Sequence, residues 1–170
     1  MKCSNRRFYS SGWLWFGILA LTAGLFLSHG ALAAELEVGK NEIGGMNVRV
    51  WLDKPMKMQM LMQGMWKTYR PQAGKLTHHL GIDLTDPRSG GAIPTAVIEV
   101  ALTHRKTGQQ MTKKLPAMFG KRFIYGVNLR LEEGEYDLVV KIDPPTIMRM
   151  GPSINKWQTP VQAKYTFQVK

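Results

Sequence analysis

The sequence predicts an all-β fold, specifically an immunoglobulin-like antiparallel β-sandwich. Seven or eight short segments after residue 34 alternate apolar and polar residues, as half-buried strands do. Turn signals containing Gly or Pro separate several of these segments at hairpin spacing, and no segment shows convincing helical periodicity. The 136 residues that remain after the first 34 are enough for one domain of this class.

The first half of the predicted domain supplies three strands. Met46–Leu52 alternates like a half-buried strand, and Lys57–Gln63 alternates polar residues with Met at its start. Thr77–Leu84 is the third candidate. Met65–Lys75, between the second and third of these strands, is expected to be a long loop.

The second half begins with a strand long enough to be central. Ile93–Thr103 is rich in β-branched residues, and the turn at Thr107-Gly108 lets Gln110–Leu115 return as its hairpin partner. Pro144-Pro145 stops a later strand and opens a second long loop that extends to Thr159. The remaining predicted strands are Phe123–Leu131, Tyr136–Ile142 and Val161–Val169.

The amino terminus has the order of a secretory signal peptide. Basic residues in the first seven positions precede the uncharged, mostly apolar run Gly12–Leu27, and Ala31-Leu32-Ala33 is a small-x-small cleavage signature. The alternative is an uncleaved anchor, but the run is short against the roughly 20 residues of a span. Residues 1–34 are therefore predicted to be removed, which leaves residues 35–170 as a single periplasmic domain.

Composition excludes several classes of function. The net charge is +11, but an exported protein rarely meets nucleic acid, so the dispersed positive charge is interpreted as a solvated surface that favours anionic lipid or an acidic partner. The only cysteine, Cys3, lies in the segment predicted to be lost, which excludes disulfides and thiolate metal sites. No Gly-rich phosphate loop, Gly-x-Ser-x-Gly or His-Glu-x-x-His motif is present, so binding is expected rather than catalysis.

Histidine and methionine point to a soft metal. Neighbouring strand residues face opposite sides, so only one of His78 and His79 can face a given site. Imidazole combined with thioether sulfur favours copper, especially Cu(I). Asp83 is a candidate outer-shell group or ligand for a harder metal, and His104 is expected to be an exposed turn residue.

A methionine cluster extends from Met56 to Met65. Met56, Met58, Met60 and Met62 have period two, so in a strand all four would project from one face. The cluster is either a set of metal ligands or flexible core filler, which is the commoner role of Met. The sequence leaves both interpretations open.

The chain from Met46 to Val169 resembles the bacterial periplasmic accessory proteins of ferrous-iron uptake systems, a family that also includes a spirochaete lipoprotein antigen. The resemblance implies an immunoglobulin-like sandwich, often a homodimer, with a copper site at the dimer interface and a carboxylate considered for manganese or iron. It also implies an inner-membrane iron permease as the partner. The ordered segments that carry it are Val50-Trp51-Leu52, His79-Leu80-Gly81-Ile82-Asp83, Ile93-Pro94, Pro116-Ala117-Met118, Tyr125-Gly126-Val127-Asn128, Gly134-Glu135-Tyr136, Ile142-Asp143-Pro144-Pro145 and Trp157 to Phe167.

The family's ligands match this chain only in part. Its histidine before Leu corresponds to His79, and its methionine corresponds to Met118. A family glutamate two residues after the histidine is replaced by Gly81, and a second histidine is replaced by Ile124.

A third family histidine lies in the loop after Pro-Pro, where this chain has Met148-Arg149-Met150. One inference is a divergent, thioether-rich site in which His79, Met118 and Met150 (or Met148) bind Cu(I), with weakened binding of Fe(II) or Mn(II). Further candidate ligands are His78, Met58, Met60 and Asp83. The other inference is that the site has decayed, which leaves a metal-free domain that docks on a membrane transport complex.

Overall fold

The computed structural model describes residues 35–72, 74–151 and 154–170, without the side chains of residues 60–62. The predicted signal peptide, residues 1–34, lies outside the described residues. Eleven strands are present in the described part: β1 Leu36–Ile43, β2 Met46–Asp53, β3 Met58–Met62, β4 Met65–Tyr69, β5 His78–Thr85, β6 Val97–His104, β7 Gln110–Leu115, β8 Ala117–Phe119, β9 Phe123–Leu129, β10 Gly134–Asp143 and β11 Val161–Val169. Among the described residues, no helix is long and apolar enough to cross a membrane.

The strands form two antiparallel sheets and one separate ribbon. The five-stranded sheet has the order β1-β2-β5-β9-β8, and the four-stranded sheet has the order β11-β10-β6-β7. The ribbon pairs β3 with β4 only. The predicted all-β sandwich is confirmed.

One hydrophobic core holds the two sheets together. Alternate residues of β2, β5 and β9 contribute one side, and alternate residues of β6, β10 and β11 contribute the other, as the pleat of a strand requires. Val50, Leu80, Val100 and Leu138 are completely buried in it. The Tyr125 hydroxyl crosses this core, donating to the Ile93 carbonyl oxygen at 2.8 Å and accepting from the Ala96 N–H at 3.0 Å.

Three strands escaped prediction because their sequences lack a clear alternation. β1 is an edge strand whose residues are exposed or half-buried and whose register shifts between Glu37 and Gly39. β8 has only three residues. The third, β4, falls in Met65–Lys75, which was wrongly expected to be a loop. Its five residues are all exposed, so no apolar periodicity marks it.

The turn between β3 and β4 explains why these strands pair. Gln63 and Gly64 both have positive φ, at 52° and 75°. Two such residues form the type I′ turn that matches the twist of a two-residue hairpin. The turn sets Met62 opposite Met65 and Met58 opposite Tyr69.

Candidate metal centre

The candidate centre lies on the outer face of the five-stranded sheet, opposite the core. In the register, His79 of β5 lies between Asp53 of β2 and Asn128 of β9. One step along the same face, Trp51, Gly81 and Gly126 form the next row across the three strands. His79 and Trp51 are both buried on this face, although neither belongs to the central core.

Among the described residues, the His79 imidazole makes one hydrogen bond. Its Nδ1 lies 2.9 Å from Asn128 Oδ1. Both backbone groups of Met56 fix the Asn128 carboxamide, because the Met56 N–H donates to Oδ1 at 3.0 Å and the Met56 carbonyl accepts from Nδ2 at 2.8 Å. Since Oδ1 can only accept, His79 Nδ1 must carry the proton and donate it.

The other imidazole nitrogen of His79 is therefore an unprotonated lone pair. His79 Nε2 is buried and has no hydrogen-bond partner among the described residues. Burial lowers the pKa of His79 from its ordinary value, and this outweighs the opposing influence of Asn128 and the nearby Asp53 carboxylate. The ring is consequently neutral at neutral pH. A buried nitrogen with its partner N–H donated to an amide oxygen is the arrangement that metal-ligating histidines show.

Two glycines make room for the rings at this site. A Cβ on Gly126 would lie 2.5 Å from His79 Nε2 and 2.9 Å from Cε1. A Cβ on Gly81 would lie 2.1 Å to 2.5 Å from three atoms of the Trp51 indole. The two rings lie side by side above these glycines, with centroids 5.5 Å apart and planes tilted by 40°.

An ion-pair cluster borders the Trp51 side of the centre. The Arg122 guanidinium lies 5.1 Å from the centre of the Trp51 ring and donates to Asp83 Oδ1 at 2.8 Å. Arg49 donates to Asp83 Oδ2 at 3.0 Å, and both arginines also pair with Glu35. Asp83, a candidate ligand in the sequence analysis, thus has both oxygens engaged by arginines.

Met118 lies on the same face as His79 but is not its direct neighbour. In the register Met118 of β8 lies opposite Ile124 of β9, two residues before Gly126. Met118 is half-buried, and strand β9 lies between it and His79 of β5. Ile124, where the resemblance implies a histidine, lies between Met118 and β5.

The two loop methionines are almost fully exposed. Met148 is 96% exposed and Met150 is 84% exposed, in the segment between β10 and β11. His79 is 0% exposed. Within one chain the structure therefore does not bring either methionine into the His79 environment.

The remaining candidates have other environments. His78 is half-buried, its Nδ1 lies 2.8 Å from the Thr77 hydroxyl, and burial lowers its pKa. The half-buried Met58 lies opposite Tyr69 in the ribbon, and the side chain of Met60 lies outside the described part of the structure. Among the described residues, no three His, Cys, Asp or Glu side chains form a cluster able to hold a metal ion.

His104 is buried, so the prediction of an exposed turn residue is wrong. It is 4% exposed, and its Nε2 donates to the Glu133 carbonyl oxygen at 3.2 Å while Nδ1 accepts from the Thr107 N–H at 3.3 Å. The Tyr136 ring packs edge-on at 4.9 Å. Gly134 makes this possible, because a Cβ there would lie 2.3 Å from Nε2. With both nitrogens occupied, His104 is a structural residue.

Three residues that shape the centre were missed in the sequence analysis as site residues: Trp51, Gly126 and Asn128. All three fall within the segments that carry the family resemblance, but there they served only as markers of that resemblance. Asn128 offered one local signal, since it is a polar residue inside an otherwise apolar strand segment. A buried amide in a strand needs partners, and here they are His79 and Met56.

Comparison with known proteins agrees with this fold. The model of a family described as Fe2+ transport protein matches residues 32–170. Comparison with curated protein sequences finds no significant match. Similar solved structures include a copper-bound variant of Campylobacter jejuni P19, with 22% identity over 80% of this chain and 98% of that chain at a TM-score of 0.67.

Two structures of FetP from uropathogenic Escherichia coli are similar to the same extent. A copper-bound variant has 21% identity over 79% of this chain and 97% of its own, at a TM-score of 0.67. The protein as isolated after expression in the Escherichia coli periplasm has 22% identity over 81% of this chain and 97% of its own, at a TM-score of 0.65. At these identities the likeness shows a common fold.

Proposed function

Since this chain belongs to the Fe2+ transport protein family, we propose that it is a periplasmic metal-binding protein that assists iron or copper uptake, with a His/Met site suited to Cu(I). His79 and Met118 are the ligands contributed by the sheet. The family, the copper bound in the similar P19 and FetP structures, and the chemistry of the donor set support the proposal.

The observation that carries the proposal is the state of His79. Its Nδ1–H is donated to Asn128, and its Nε2 lone pair is buried without a hydrogen-bond partner among the described residues. Leaving a buried polar atom unpaired costs about 1–3 kcal/mol, so such an atom calls for a functional explanation. Binding of a metal to Nε2 supplies that explanation, and Asn128 fixes the tautomer that binding requires.

The donor set favours Cu(I) over Fe(II) or Mn(II). Imidazole nitrogen and thioether sulfur are soft or intermediate neutral ligands, whereas Fe(II) and Mn(II) are bound better with carboxylate oxygen. The Trp51 ring fills the space above Gly81, where the resemblance implies a carboxylate. Asp83, the one acidic residue of β5, is occupied by Arg49 and Arg122, so Asp53 of β2 is the carboxylate that lies beside His79.

The third ligand in this proposal comes from a second copy of the chain. Met148 and Met150 are almost fully exposed, so they are available to a neighbouring molecule but not to their own His79. The homodimer that the resemblance implies would supply one of them. Two measurements test this part. Sedimentation velocity with and without Cu(I) shows whether the chain associates in a metal-dependent way. A Met148→Leu and Met150→Leu double variant should bind Cu(I) more weakly.

The main test is Cu(I) affinity measured by chelator competition, with Fe(II) and Mn(II) in parallel, on protein purified after export. His79→Gln should lower Cu(I) affinity more than about 100-fold, beyond the 10- to 100-fold effect of losing a supporting residue. His78→Gln is the matched control, since the neighbouring histidine faces the other side of β5. Met118→Leu should weaken binding and Met111→Leu, another half-buried strand methionine, should not.

The alternative is a metal-free domain that docks on an inner-membrane transport complex. It predicts no measurable affinity for any of the three metals and unchanged properties in His79→Gln.

Export itself is tested separately by the intact mass of the purified protein. A mass that starts at Ala34 or Glu35 would establish cleavage, and a mass retaining residues 1–33 would contradict it.

A further inference from the structure

The β3–β4 ribbon stands apart from both sheets. Its two strands are hydrogen-bonded only to each other, through five paired positions from Met58↔Tyr69 to Met62↔Met65. All five residues of β4 are exposed. A lone two-stranded ribbon is marginally stable in water, so a surface that covers it would stabilise it.

Large apolar side chains of the ribbon face solvent. Trp66 is 70% exposed, Met65 is 59% exposed and Tyr69 is 55% exposed. Since successive residues of a strand face opposite sides, Trp66 extends from one face of β4, and Met65 and Tyr69 extend from the other. The ribbon therefore presents amphipathic aromatic side chains on both faces, a form suited to insertion at an interface between water and an apolar phase.

The chain around the ribbon carries a concentrated positive charge. Residues 54–82 contain five basic residues and no acidic one, whereas the other 107 residues of 35–170 contain 15 basic and 12 acidic residues. All five are exposed, and none forms an ion pair among the described residues: Lys54, Lys57, Lys67, Arg70 and Lys75. By contrast, Arg49, Arg105 and Arg122 are each paired with carboxylates. Residues 54–82 therefore carry a net charge of +5, against +3 for the other 107 residues of 35–170, so the density of net positive charge is highest around the ribbon.

We propose that the β3–β4 ribbon docks this protein on an anionic lipid bilayer. Trp and Tyr prefer the headgroup level of a bilayer, where one end of the ring is apolar and the other wet. Lysines and arginines beside them are attracted to anionic headgroups. The combination of exposed aromatic rings with unpaired basic residues favours a lipid surface over an acidic protein, which would need carboxylates placed to match each cation.

Docking would also place the proposed metal centre near the membrane. The segment that leads into β3 includes Met56, whose backbone holds the Asn128 amide against His79. The ribbon is thus joined to the centre through one short segment. The docking proposal itself does not depend on metal binding, and metal-free protein suffices to test it.

The test is flotation of the exported protein with vesicles of phosphatidylethanolamine and phosphatidylglycerol, compared with phosphatidylcholine alone. Binding should occur only with the anionic vesicles, should weaken as salt is raised, and should shift the fluorescence of Trp66 to shorter wavelength. A Lys67→Gln and Arg70→Gln double variant should bind roughly 30-fold more weakly, from about fivefold per surface charge. Trp66→Ser should lose the fluorescence shift.

The matched control replaces Lys113 and Lys114 with Gln. Both are exposed lysines of β7, in the four-stranded sheet. This double variant removes the same charge, so equal weakening in the control and the ribbon variant would show diffuse attraction and overturn the proposal. Failure to float with anionic vesicles would overturn it as well. Retention on membranes that contain inner-membrane proteins, without binding to pure lipid, would also overturn it and would indicate a protein partner.

Discussion

Gly126→Ala is expected to disturb the fold and the proposed metal centre together. The added Cβ would lie 2.5 Å from His79 Nε2 and 3.0 Å from the Leu80 carbonyl oxygen. Carbon pairs are optimal at about 3.5–4.0 Å, so the overlap with the ring is on the order of 1 Å. His79 cannot simply turn aside, because its Nδ1 is bound to Asn128 and the Trp51 ring lies on its other side.

The free-energy cost follows from these contacts. Overpacking of a buried site costs about 1–3 kcal/mol, and loss of the His79–Asn128 hydrogen bond adds about 1 kcal/mol. Replacing Gly by Ala restricts the unfolded chain and returns up to about 1 kcal/mol. The expected loss of unfolding free energy is therefore about 1–4 kcal/mol, which corresponds to a drop in Tm on the order of 10 °C.

Urea unfolding and Cu(I) competition measure the two consequences on the same protein. Gly120→Ala is the matched control, because a Cβ at Gly120 meets no atom within 4 Å. The control should unfold at the wild-type urea concentration or above it, and Gly126→Ala should also bind Cu(I) about 10- to 100-fold more weakly. Wild-type stability together with wild-type affinity in Gly126→Ala would refute the argument that His79 Nε2 is confined against this glycine.

Three further predictions concern titration and buried hydroxyls. Asn128→Asp should raise the pKa of His79, because a carboxylate accepts the Nδ1 proton and stabilises the charged ring; NMR titration of the His79 ring protons measures this shift. The free energy of unfolding should be constant above pH 6.5 and fall below it, by up to about 1.4 kcal/mol per pH unit for each of His78 and His79. Burial lowers both pKa values in the folded chain, so the unfolded chain binds protons first; urea titrations from pH 7.5 to 5 measure the slope, which His79→Gln should reduce. Tyr125→Phe should lower the free energy of unfolding by about 1–3 kcal/mol, because the Ile93 carbonyl and the Ala96 N–H lose their partner. Tyr165→Phe should leave it unchanged or raise it, because the buried Tyr165 hydroxyl has no partner among the described residues. Thermal unfolding of both variants measures the two effects.

The sequence predicted the sandwich because most of its longer strands obey the period-two rule. In β6, β10 and β11 the buried residues alternate along nearly the whole strand, so pattern and structure coincide. The rule failed where a strand buries neither face, as in β4, or pairs only briefly, as in β8. Pairing in those strands is set by turn geometry and neighbouring backbone, which hydrophobic patterning does not record.

The site was predictable only as far as residue types are informative. His79 and Met118 were proposed from chemistry and resemblance, but the burial of His79 depends on Gly126 in the neighbouring strand β9. His104 shows the same limit, because its turn context predicted exposure while Gly134 and Tyr136 enclose it. In both cases a missing Cβ across the sheet decides the environment, and single-chain periodicity carries no information about it.

The Trp51–Gly81 pair shows how a residue without a side chain shapes the candidate centre. A Cβ at Gly81 would lie 2.1–2.5 Å from three atoms of the Trp51 indole, so any side chain at position 81 would move this ring from its present position. Arg122 lies over the same ring and pairs with Asp83, which occupies the one carboxylate of β5. The Asp53 carboxylate remains beside His79, because it lies opposite this residue in the register. In the proposed site the neutral imidazole nitrogen and the Met118 thioether favour Cu(I), and Asp53 is the carboxylate on this face that a harder ion would use.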